Sequence, residues 1–369
     1  MKIAHLTFHG SHNYGSVLQA YALSKQLQLM GHQVEILNLR PQSQKDAYRI
    51  IRKGDRGLYR LFRYLIYPLL KKRFNHYERF INHVLPTTKK EYASTEELAT
   101  ANLQYDAYVC GGDQIWNPVC QDFETAYYLQ FLQPEDTARR ISYSPSLGKT
   151  DFPEETRAQM SEWVKAFDHI SVREPRGAEI IQSLTEKPVC SVCDPVLLLD
   201  KKHWEEIAVK PKFKRPYILT YFLENNHGSR SLTEYLKQET GFDVINLNEY
   251  IRDFIKPYMK AYSASPEEFV GLFMNASLVY TNSFHGTAFA TIFNKPLITA
   301  IAVNQKTAQN NNDSRKIDYL NRLGLEQCLY REGLPEVQKV LTMDYSAANE
   351  KLESFRSESF NYLTRALQS

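Results

Sequence analysis

The sequence predicts an α/β protein of two Rossmann-like domains that face a cleft, with a C-terminal helix that crosses back onto the first domain. Three observations support this prediction. The chain has 369 residues, whereas a single hydrophobic core seldom grows beyond about 250 to 300 residues. Short apolar runs alternate with helical stretches, as parallel sheets covered by helices require. The alternation starts again after a basic segment at Lys201–Arg215.

The first forty residues predict a βαβ unit. Lys2–Phe8 is a short apolar run, and apolar residues then recur at helical spacing from Val17 to Leu27 before Gly31 ends the helix. Val34–Leu39 is a second short apolar run. The N-terminal run is broken by histidines and is followed by no small-residue cleavage site, so we expect a first strand and not a signal peptide.

The same pattern predicts the later elements of both halves. In the first half we expect strands at Ala107–Cys110, Ile141–Ser144, His169–Val172 and Pro188–Val192, and helices at Ser94–Glu97, Glu154–Ala166 and Gly177–Ser183. In the second half we expect strands at Tyr217–Phe222, Asp243–Asn248, Leu278–Thr281 and Leu297–Ala300, and helices at Ser231–Thr240, Pro266–Asn275 and Thr287–Phe293.

The basic segment Lys201–Arg215 is the best candidate for a linker, because it carries six lysines and arginines around Pro211. We therefore predict domains at residues 1–200 and 201–345. The tail Ser346–Ser369 has a helical pattern of apolar residues and comes too late to add a strand. We expect it to pack on the first domain.

Composition excludes several classes of function. The 45 basic and 42 acidic residues give a formal net charge of +3, too balanced for nucleic-acid binding through a general electrostatic field. No stretch approaches the roughly 18 to 20 apolar residues that span a bilayer. Five cysteines, an odd number, favour free thiols in a reducing compartment. We expect a cytoplasmic protein, with the inner face of the membrane as an alternative location.

One segment, Arg52–Arg73, is locally basic, with eight lysines and arginines interleaved with leucines and aromatic residues. Such a helix can lie on an anionic membrane surface. It can also pack its aromatic face on the protein body while its cations stay in water. The second arrangement is the commoner one and is our prediction, so peripheral membrane contact is the alternative.

Loops that follow the predicted strands carry the candidate functional residues, because ligands of open α/β sheets bind at the carboxyl ends of the strands. Asn13 and Tyr14 begin a helix, where free N–H groups and the helix dipole favour an anion. An ordinary helix cap is the alternative. The loop lacks G-x-G-x-x-G, which argues against NAD and FAD. We expect no cofactor and no metal, since Cys190 and Cys193 lack a second ligand pair.

The segment GGDQIWNP combines a permissive backbone with hydrogen-bonding groups and an aromatic ring. Asp113, Gln114 and Asn117 could bind sugar hydroxyls, and Trp116 could cover an apolar sugar face. A turn-capping role for Trp116 is equally open. Asp113 is the better candidate, as an acid, a base or a group that orients a hydroxyl.

Two further loops carry an arginine and a histidine. Arg173 directly follows a predicted strand, where its guanidinium could bind a carboxylate or phosphate; a salt bridge with Glu174 or Glu179 is the alternative. His285 lies in the turn SFHG between a strand and a helix, in a position suited to proton transfer. A buried core histidine is the alternative.

Six segments resemble, in order, the polysaccharide pyruvyl transferase family over about residues 1–325. They are NYGSVLQAYAL, YDAYVCGGDQIWNP, ISYSPSLG, ISVREPRG, CDPVLLL and TNSFHGTAFATIFNKPLI. The resemblance implies a fold like that of the GT-B glycosyltransferases. It also implies transfer of a pyruvyl group from phosphoenolpyruvate to a sugar diol of a polysaccharide or its lipid-linked precursor. The product is a cyclic ketal, and phosphate leaves.

The resemblance also implies roles for individual residues. His285 would be the acid that protonates the donor, and Asp113 would orient the acceptor. The other expected donor contacts are Arg173, Ser283, Gly286, Lys306 and Arg315, and the expected acceptor contacts are Asn13, Tyr14, Gln114, Trp116 and Asn117. Family members often carry arginine where this chain has Ser283, which removes one expected phosphate contact. The alternatives are a GT-B glycosyltransferase that uses a nucleotide sugar and a non-catalytic glycan-binding relative.

Overall fold

The fold comes from a computed structural model that describes residues 1–52, 54–120, 122–148, 151–223, 228–247, 258–301 and 313–368. The chain divides into two compact units. Unit 1 comprises Met1–Lys53, Glu78–Leu199 and Glu353–Ser369, and unit 2 comprises Gly54–Tyr77 and Asp200–Leu352. The domain ranges and the cleft expected from the sequence stay predictions.

Unit 1 is built on a parallel sheet whose described strands have the order β3-β2-β1-β4-β5. The strands are β1 Lys2–Leu6, β2 Gln33–Leu39, β3 Thr87–Tyr92, β4 Ala107–Gly111 and β5 Arg139–Tyr143. A parallel pair, β6 Ile170–Val172 and β7 Val189–Ser191, follows, and a bridge from His169 to Ile141 joins it to β5. The strand order therefore reverses direction between β1 and β4, which pair in parallel.

Helices cover the sheet of unit 1. They are α1 Tyr14–Leu29, α2 Gln42–Ala47, α5 Thr95–Ala99, α6 Glu154–Val164 and α7 Pro175–Gln182. Between α2 and α5 in the chain come α3 Gly57–Leu65, which belongs to unit 2, and α4 Tyr67–His83, which belongs to unit 2 up to Tyr77 and to unit 1 from Glu78. The strands β1 and β4 are almost entirely buried, as expected for parallel strands covered on both faces.

Unit 2 repeats the design with a six-stranded parallel sheet in its described residues, of order β10-β9-β8-β11-β12-β13. The strands are β8 Tyr217–Tyr221, β9 Asp243–Asn246, β10 Met259–Lys260, β11 Leu278–Thr281, β12 Leu297–Ala300 and β13 Leu329–Tyr330. The helices after Asp200 are α8 Lys201–Ile207, α9 Gly228–Thr240, α10 Pro266–Asn275, α11 Phe284–Ile292, α12 Asp313–Leu323, α13 Val337–Leu341 and α14 Ser346–Gln368. The last of them, α14, belongs to unit 2 only up to Leu352. Here the order reverses between β8 and β11.

The sequence predicted the central strands and missed three of the outer ones. Thr87–Tyr92, Met259–Lys260 and Leu329–Tyr330 were not predicted, and all three lie at the edge of a sheet. Edge strands are short or polar, because a long apolar edge would pair with other chains, so they leave a weak apolar signal. The segment expected as a linker begins with a helix, Lys201–Ile207. Asn248, expected to end β9, lies outside the described residues.

The C-terminal helix α14 packs on unit 1 from Glu353 onward, which confirms the prediction that the tail returns to the first half. The hydroxyl of Tyr362 donates to the carbonyl of Ser142 on β5 at 2.9 Å. Ser359 Oγ accepts a hydrogen bond from the backbone N–H of Cys193 at 2.8 Å. Arg139 donates to the carbonyl of Leu367 at 2.6 Å. These contacts tie the last helix to the same edge of the sheet.

The prediction that the basic segment packs its aromatic face on the body is wrong for α3, because Tyr59 and Tyr64 are 43% and 52% exposed. Leu58, Leu61 and Leu65 are 85%, 56% and 73% exposed. Of the nine residues of α3, all described, only Arg63 is buried. Separately, none of the described helices is long and apolar enough to cross a membrane.

We predict that Leu363→Ala lowers the free energy of unfolding by about 2 to 5 kcal/mol, because the side chain is wholly buried and its removal leaves a cavity. Denaturation followed by the fluorescence of Trp116 and Trp163, which lie in unit 1, measures the change. Asn361→Ala, at an exposed position of the same helix, is the control and should stay within about 0.5 kcal/mol. An equal response of the two variants would contradict the packing of α14.

Candidate functional site

In unit 1 the loops after β1 and β4 leave the sheet at the point where the strand order reverses. Helices that follow such neighbouring strands turn to opposite faces, and ligands of open α/β sheets bind in the crevice that this divergence leaves. The loop after β1 leads to Asn13 and α1, and the loop after β4 carries Gly112 and Asp113. Sequence analysis selected both loops, and the topology places them side by side.

The backbone of the second loop explains its glycine pair. A Cβ on Gly111 would clash with the carbonyl of Tyr143, and one on Gly112 would clash with the side chain of Gln19. Gly112 has φ of +74° and Asp113 has φ of +50°, in the left-handed region that Asp and Asn tolerate better than most residues. The chain therefore reverses tightly enough to bring Asp113 against α1.

The carboxylate of Asp113 is fixed from two sides. Ser16, in the first turn of α1, donates its hydroxyl to Asp113 Oδ2. The backbone N–H of Gln114 donates to Oδ1 at 2.9 Å. The carboxylate thus lies beside the positive end of the α1 dipole. The first turn of α1, all of it described, has no acidic residue of its own.

Trp116 corrects the prediction of a sugar-stacking ring. It is wholly buried, its indole N–H donates to the carbonyl of Tyr127 at 3.0 Å, and its ring stacks on Tyr128 with centroids 4.8 Å apart. No face of the ring is left for a sugar. Trp116 instead anchors the GGDQIWNP loop in the core of unit 1, which is the alternative role that its sequence position allowed.

The amide side chains of the same loop brace each other. Asn117 Nδ2 donates to Gln114 Oε1 at 2.9 Å, and Asn117 Oδ1 accepts from the N–H of Val119 at 3.3 Å. A Cβ on Gly148 would clash with the side chain of Gln114, so the loop after β5 passes directly over this pair. Asn117 is buried, whereas Gln114 is partly exposed, and only Gln114 stays open to a ligand.

Asn13 and Tyr14 have mainly structural contacts. The side chain of Asn13 accepts the N–H of Gly15 at 2.8 Å and caps α1. Tyr14 is 1% exposed. The partly exposed Asn13 thus fixes the direction in which the first N–H groups of α1 point, and Tyr14 holds the helix in the core.

Arg173, expected to bind the donor, lies in a buried ion-pair cluster. Its Nη1 is 2.6 Å from Asp194 Oδ2, and its Nε is 3.0 Å from Glu174 Oε1. Burial lowers the pKa of the guanidinium, but the charges of Glu174, Asp194 and Asp113 outweigh burial and raise the pKa above its ordinary value. These contacts agree with the alternative that Arg173 forms a salt bridge with Glu174. Asp194 is a second partner, which sequence analysis did not identify.

In unit 2 the loops after β8 and β11 occupy the corresponding reversal of strand order. Asn282 Oδ1 accepts the backbone N–H of Leu223 at 2.8 Å and joins the two loops. Ser283 caps α11 by accepting the N–H of Gly286 at 3.3 Å. A Cβ on Gly286 would lie 2.5 Å from Thr281 Oγ1, so only glycine lets α11 approach β11 this closely.

His285 is the second residue of α11 and is 8% exposed. Its ring contacts that of Phe284 edge to face, with centroids 5.4 Å apart. The helix N-terminus and the end of β11 therefore hold the imidazole at the carboxyl edge of the sheet. This is the position predicted from the SFHG turn.

Lys316 is a buried cation beside this turn that sequence analysis missed. Its Nζ donates to the carbonyl of Asn282 at 2.8 Å and to that of Ala300 at 2.9 Å, and it lies 2.5 Å from Asp313 Oδ1. Lys316 thereby ties the ends of β11 and β12 to α12. The helical periodicity of the sequence could have identified it, because Lys316 lies at helical spacing from Leu320 and Leu323 on the buried face of α12.

The two remaining donor candidates differ in position. Arg315 precedes Lys316 on α12 and is partly buried, whereas Lys306 lies outside the described residues. All five cysteines are free thiols. Among the described residues, no three His, Cys, Asp or Glu side chains come together as metal ligands.

A second polar cluster, also missed from the sequence, adjoins the loop after β1. His12 Nε2 lies 2.7 Å from Glu78 Oε1, and Arg40 binds both oxygens of the same carboxylate. Burial raises the pKa of Glu78, but the hydrogen bonds and charges of His12 and Arg40 outweigh it and lower the pKa to about 2. This cluster holds the loop that leads to Asn13 against α4.

Comparisons with known proteins agree with this fold. A family model described as polysaccharide pyruvyl transferase matches residues 13–305. A UDP-N-acetylglucosamine 2-epimerase structure from Listeria monocytogenes has 11% identity and a TM-score of 0.51, over 99% of this chain and 91% of its own. The UDP-GlcNAc 2-epimerase of Methanocaldococcus jannaschii has 11% identity and a TM-score of 0.51, over 94% and 93%. No curated protein matches significantly. The predicted GT-B-like class of two Rossmann-like units is confirmed.

We predict that Arg173→Met lowers the free energy of unfolding by about 3 to 5 kcal/mol, because Glu174 and Asp194 would remain as buried charges without their cation. Arg176→Met is the matched control: Arg176 pairs with Glu179 at the surface, and its loss should cost about 1 kcal/mol or less. Urea denaturation measures both. Unchanged stability of the Arg173 variant would show that the ion pairs do not hold the loops.

We also predict a pH dependence from Glu78. Its folded-state pKa lies below the ordinary value of 4.5, so its stabilising effect is complete above that value and disappears as the pH falls toward the folded-state pKa. The Tm of the native protein should exceed that of Glu78→Gln at pH 6, and the difference should narrow below about pH 4.5. Glu162→Gln, in an exposed pair with Lys165, is the control. A difference that does not depend on pH would contradict this pKa.

Proposed function

The chain belongs to the polysaccharide pyruvyl transferase family, and from this premise we propose that it forms a pyruvyl ketal on a sugar diol, using phosphoenolpyruvate as donor. The acceptor is a polysaccharide or its lipid-linked precursor. One observation carries the proposal: the family match covers both GGD and SFHG, and each of these loops leaves its sheet where the strand order reverses. Ligands of open α/β sheets bind at such reversals, which supports the assignment of both motifs to the proposed site.

The proposed reaction balances as an addition followed by a substitution. One sugar hydroxyl adds to carbon 2 of phosphoenolpyruvate while carbon 3 gains a proton, which leaves a tetrahedral carbon that still carries the phosphate. The second hydroxyl then displaces inorganic phosphate and closes the ketal ring. The protein must supply a proton to carbon 3, remove protons from the hydroxyls and stabilise the anionic donor.

We assign the proton donor role to His285. Imidazole exchanges a proton near neutral pH, and the first turn of α11 brings His285 next to backbone N–H groups that favour a phosphate or carboxylate. Ser283 and Gly286 contribute by shaping this turn. Since Ser283 caps the helix through its own side chain, the turn forms without the arginine that family members often have there. Lys306 and Arg315 are the proposed additional donor contacts.

We assign the acceptor side to Asp113, with Gln114 as a further hydrogen-bonding group. The hydrogen bonds from Ser16 and Gln114 N–H fix the carboxylate, so it can orient a hydroxyl or accept its proton without reorganising. The contacts of Arg173 with Glu174 and Asp194 support a positioning role for this residue: it holds the loops after β6 and β7 beside Asp113.

We predict that His285→Asn lowers turnover by about a hundredfold to ten-thousandfold, the usual contribution of a general acid or base. Asparagine keeps the size and hydrogen bonding of histidine, so the Tm and the affinity for phosphoenolpyruvate should change little. Phosphate release is measured with phosphoenolpyruvate and glycosides that carry pairs of free hydroxyls.

Two controls make the result decisive. His83→Asn, at an exposed position, should keep native turnover. A parallel reaction with UDP-sugars tests the glycosyltransferase alternative through nucleotide release. Native turnover of the His285 variant would exclude the proposed acid, and a large loss of Tm would identify a core histidine. Phosphate release at background for the native protein with every acceptor would favour the non-catalytic glycan-binding alternative.

We predict that Asp113→Asn also lowers turnover by about a hundredfold or more, since the amide cannot accept a proton. Asparagine tolerates the positive φ of this position, so the loop should keep its shape. Asp151→Asn, at an exposed position, is the matched control. Full activity of the Asp113 variant would contradict a role in proton transfer and would mean that Asp113 only holds Ser16 and the loop in place.

A further inference from the structure

Helix α3 and the start of α4 form an apolar surface surrounded by cations, which we call the leucine surface. It consists of Leu58, Leu61 and Leu65 on α3 and Leu69 on α4. The three leucines of α3 recur at the spacing i, i+3 and i+7, so they lie on one helix face. Leu58 is 85% exposed and Leu65 is 73% exposed, whereas leucine side chains are normally buried.

The opposite face of α3 carries its buried charge. Arg63 Nε lies 3.0 Å from Asp55 Oδ2, and both side chains are less than a tenth exposed. An amphipathic helix of a globular protein normally buries its leucines and exposes its arginines. This helix does the reverse, so its apolar face is turned away from the unit that it belongs to.

The charge around the leucine surface has one sign. Between Gly54 and Tyr77 the sequence has six lysines and arginines, and its one acidic residue is Asp55, which pairs with Arg63. Arg56, Arg60, Lys71 and Lys72 are exposed. Tyr59, Tyr64 and Tyr67 are also partly exposed, between 37% and 52%, and tyrosine is favoured where an apolar phase meets water.

We propose that the leucine surface docks the protein on an anionic lipid bilayer. Leucines enter the boundary between headgroups and acyl chains while the cations bind anionic headgroups, as in helices that lie in the membrane plane. Charge favours this occupant over a second copy of the chain, because a symmetric interface would bring two identical sets of cations together. The proposal is independent of the proposed pyruvyl transfer.

Sedimentation of the full chain with vesicles tests the proposal. Binding to phosphatidylcholine vesicles that contain about a third phosphatidylglycerol should be strong at low salt and weaken as salt rises, because salt screens the attraction of the cations. Binding to vesicles of phosphatidylcholine alone should be at least about tenfold weaker, since each nearby cation contributes about fivefold. Equal binding to both vesicles would overturn the proposal.

Two variants separate the apolar and ionic contributions. The triple variant Leu58→Gln, Leu61→Gln and Leu65→Gln should bind anionic vesicles at least about tenfold more weakly, because it removes the inserted apolar area. The double variant Arg60→Gln and Lys72→Gln should lose about fivefold per charge. Leu334→Gln is the control, since Leu334 is 67% exposed and lies outside the leucine surface; it should bind as the native protein does.

Folding and self-association are measured on the same samples. The Tm of each variant should equal or exceed the native Tm, because the changed side chains are exposed; if the triple variant loses Tm, the charge variant alone decides. Sedimentation equilibrium should show no dimer that the leucine variants abolish. Such a dimer, or native vesicle binding by both variants, would overturn membrane docking. Binding of phosphoenolpyruvate, which none of these residues contacts in the proposed function, should be unchanged.

Discussion

The candidate site depends on one topological constraint, the reversal of strand order inside each parallel sheet. Right-handed crossovers carry the helix after β1 and the connection after β4 to opposite faces, because the next strands are added on opposite sides. The two loops must diverge, and the backbone between them is not covered by a helix. The same reasoning applies to β8 and β11. In such a fold the topology determines where a ligand binds, and the side chains determine which ligand it is.

The buried charges near these loops act mainly as supports. Arg173 is matched by Asp194 and Glu174, and Lys316 by Asp313 and two backbone carbonyls. A cation that is already matched attracts an added anion weakly. The attraction for an anionic ligand therefore falls to the helix N-termini and to cations outside these pairs. The SFHG turn likewise keeps its shape without a further cation, because the side chain of Ser283 caps α11.

Sequence reasoning predicted the central strands and the loops because both depend on local patterns. It could not decide whether Trp116 binds a sugar or packs in the core, because the rings that contact it, Tyr128 and Phe167, come from later segments of the chain. It missed Lys316, whose charge hid its place on a buried helix face. Sequence periodicity predicted that the leucines of α3 share one face, but it could not predict whether that face is buried or exposed. The buried position of Arg63 shows that the opposite face points inward.

The path of the chain also constrains how the protein is made. Unit 1 begins with Met1 but contains Glu353–Ser369, and Tyr362 and Leu363 of that segment are part of its core. The 153 residues of Asp200–Leu352 are translated in between, a delay of roughly 8 to 30 s at ordinary rates of translation. During that time the edge of the sheet near β5 lacks its helix and exposes apolar surface. Of these two units, the one that is synthesised first is thus completed last, because part of its core comes from Glu353–Ser369.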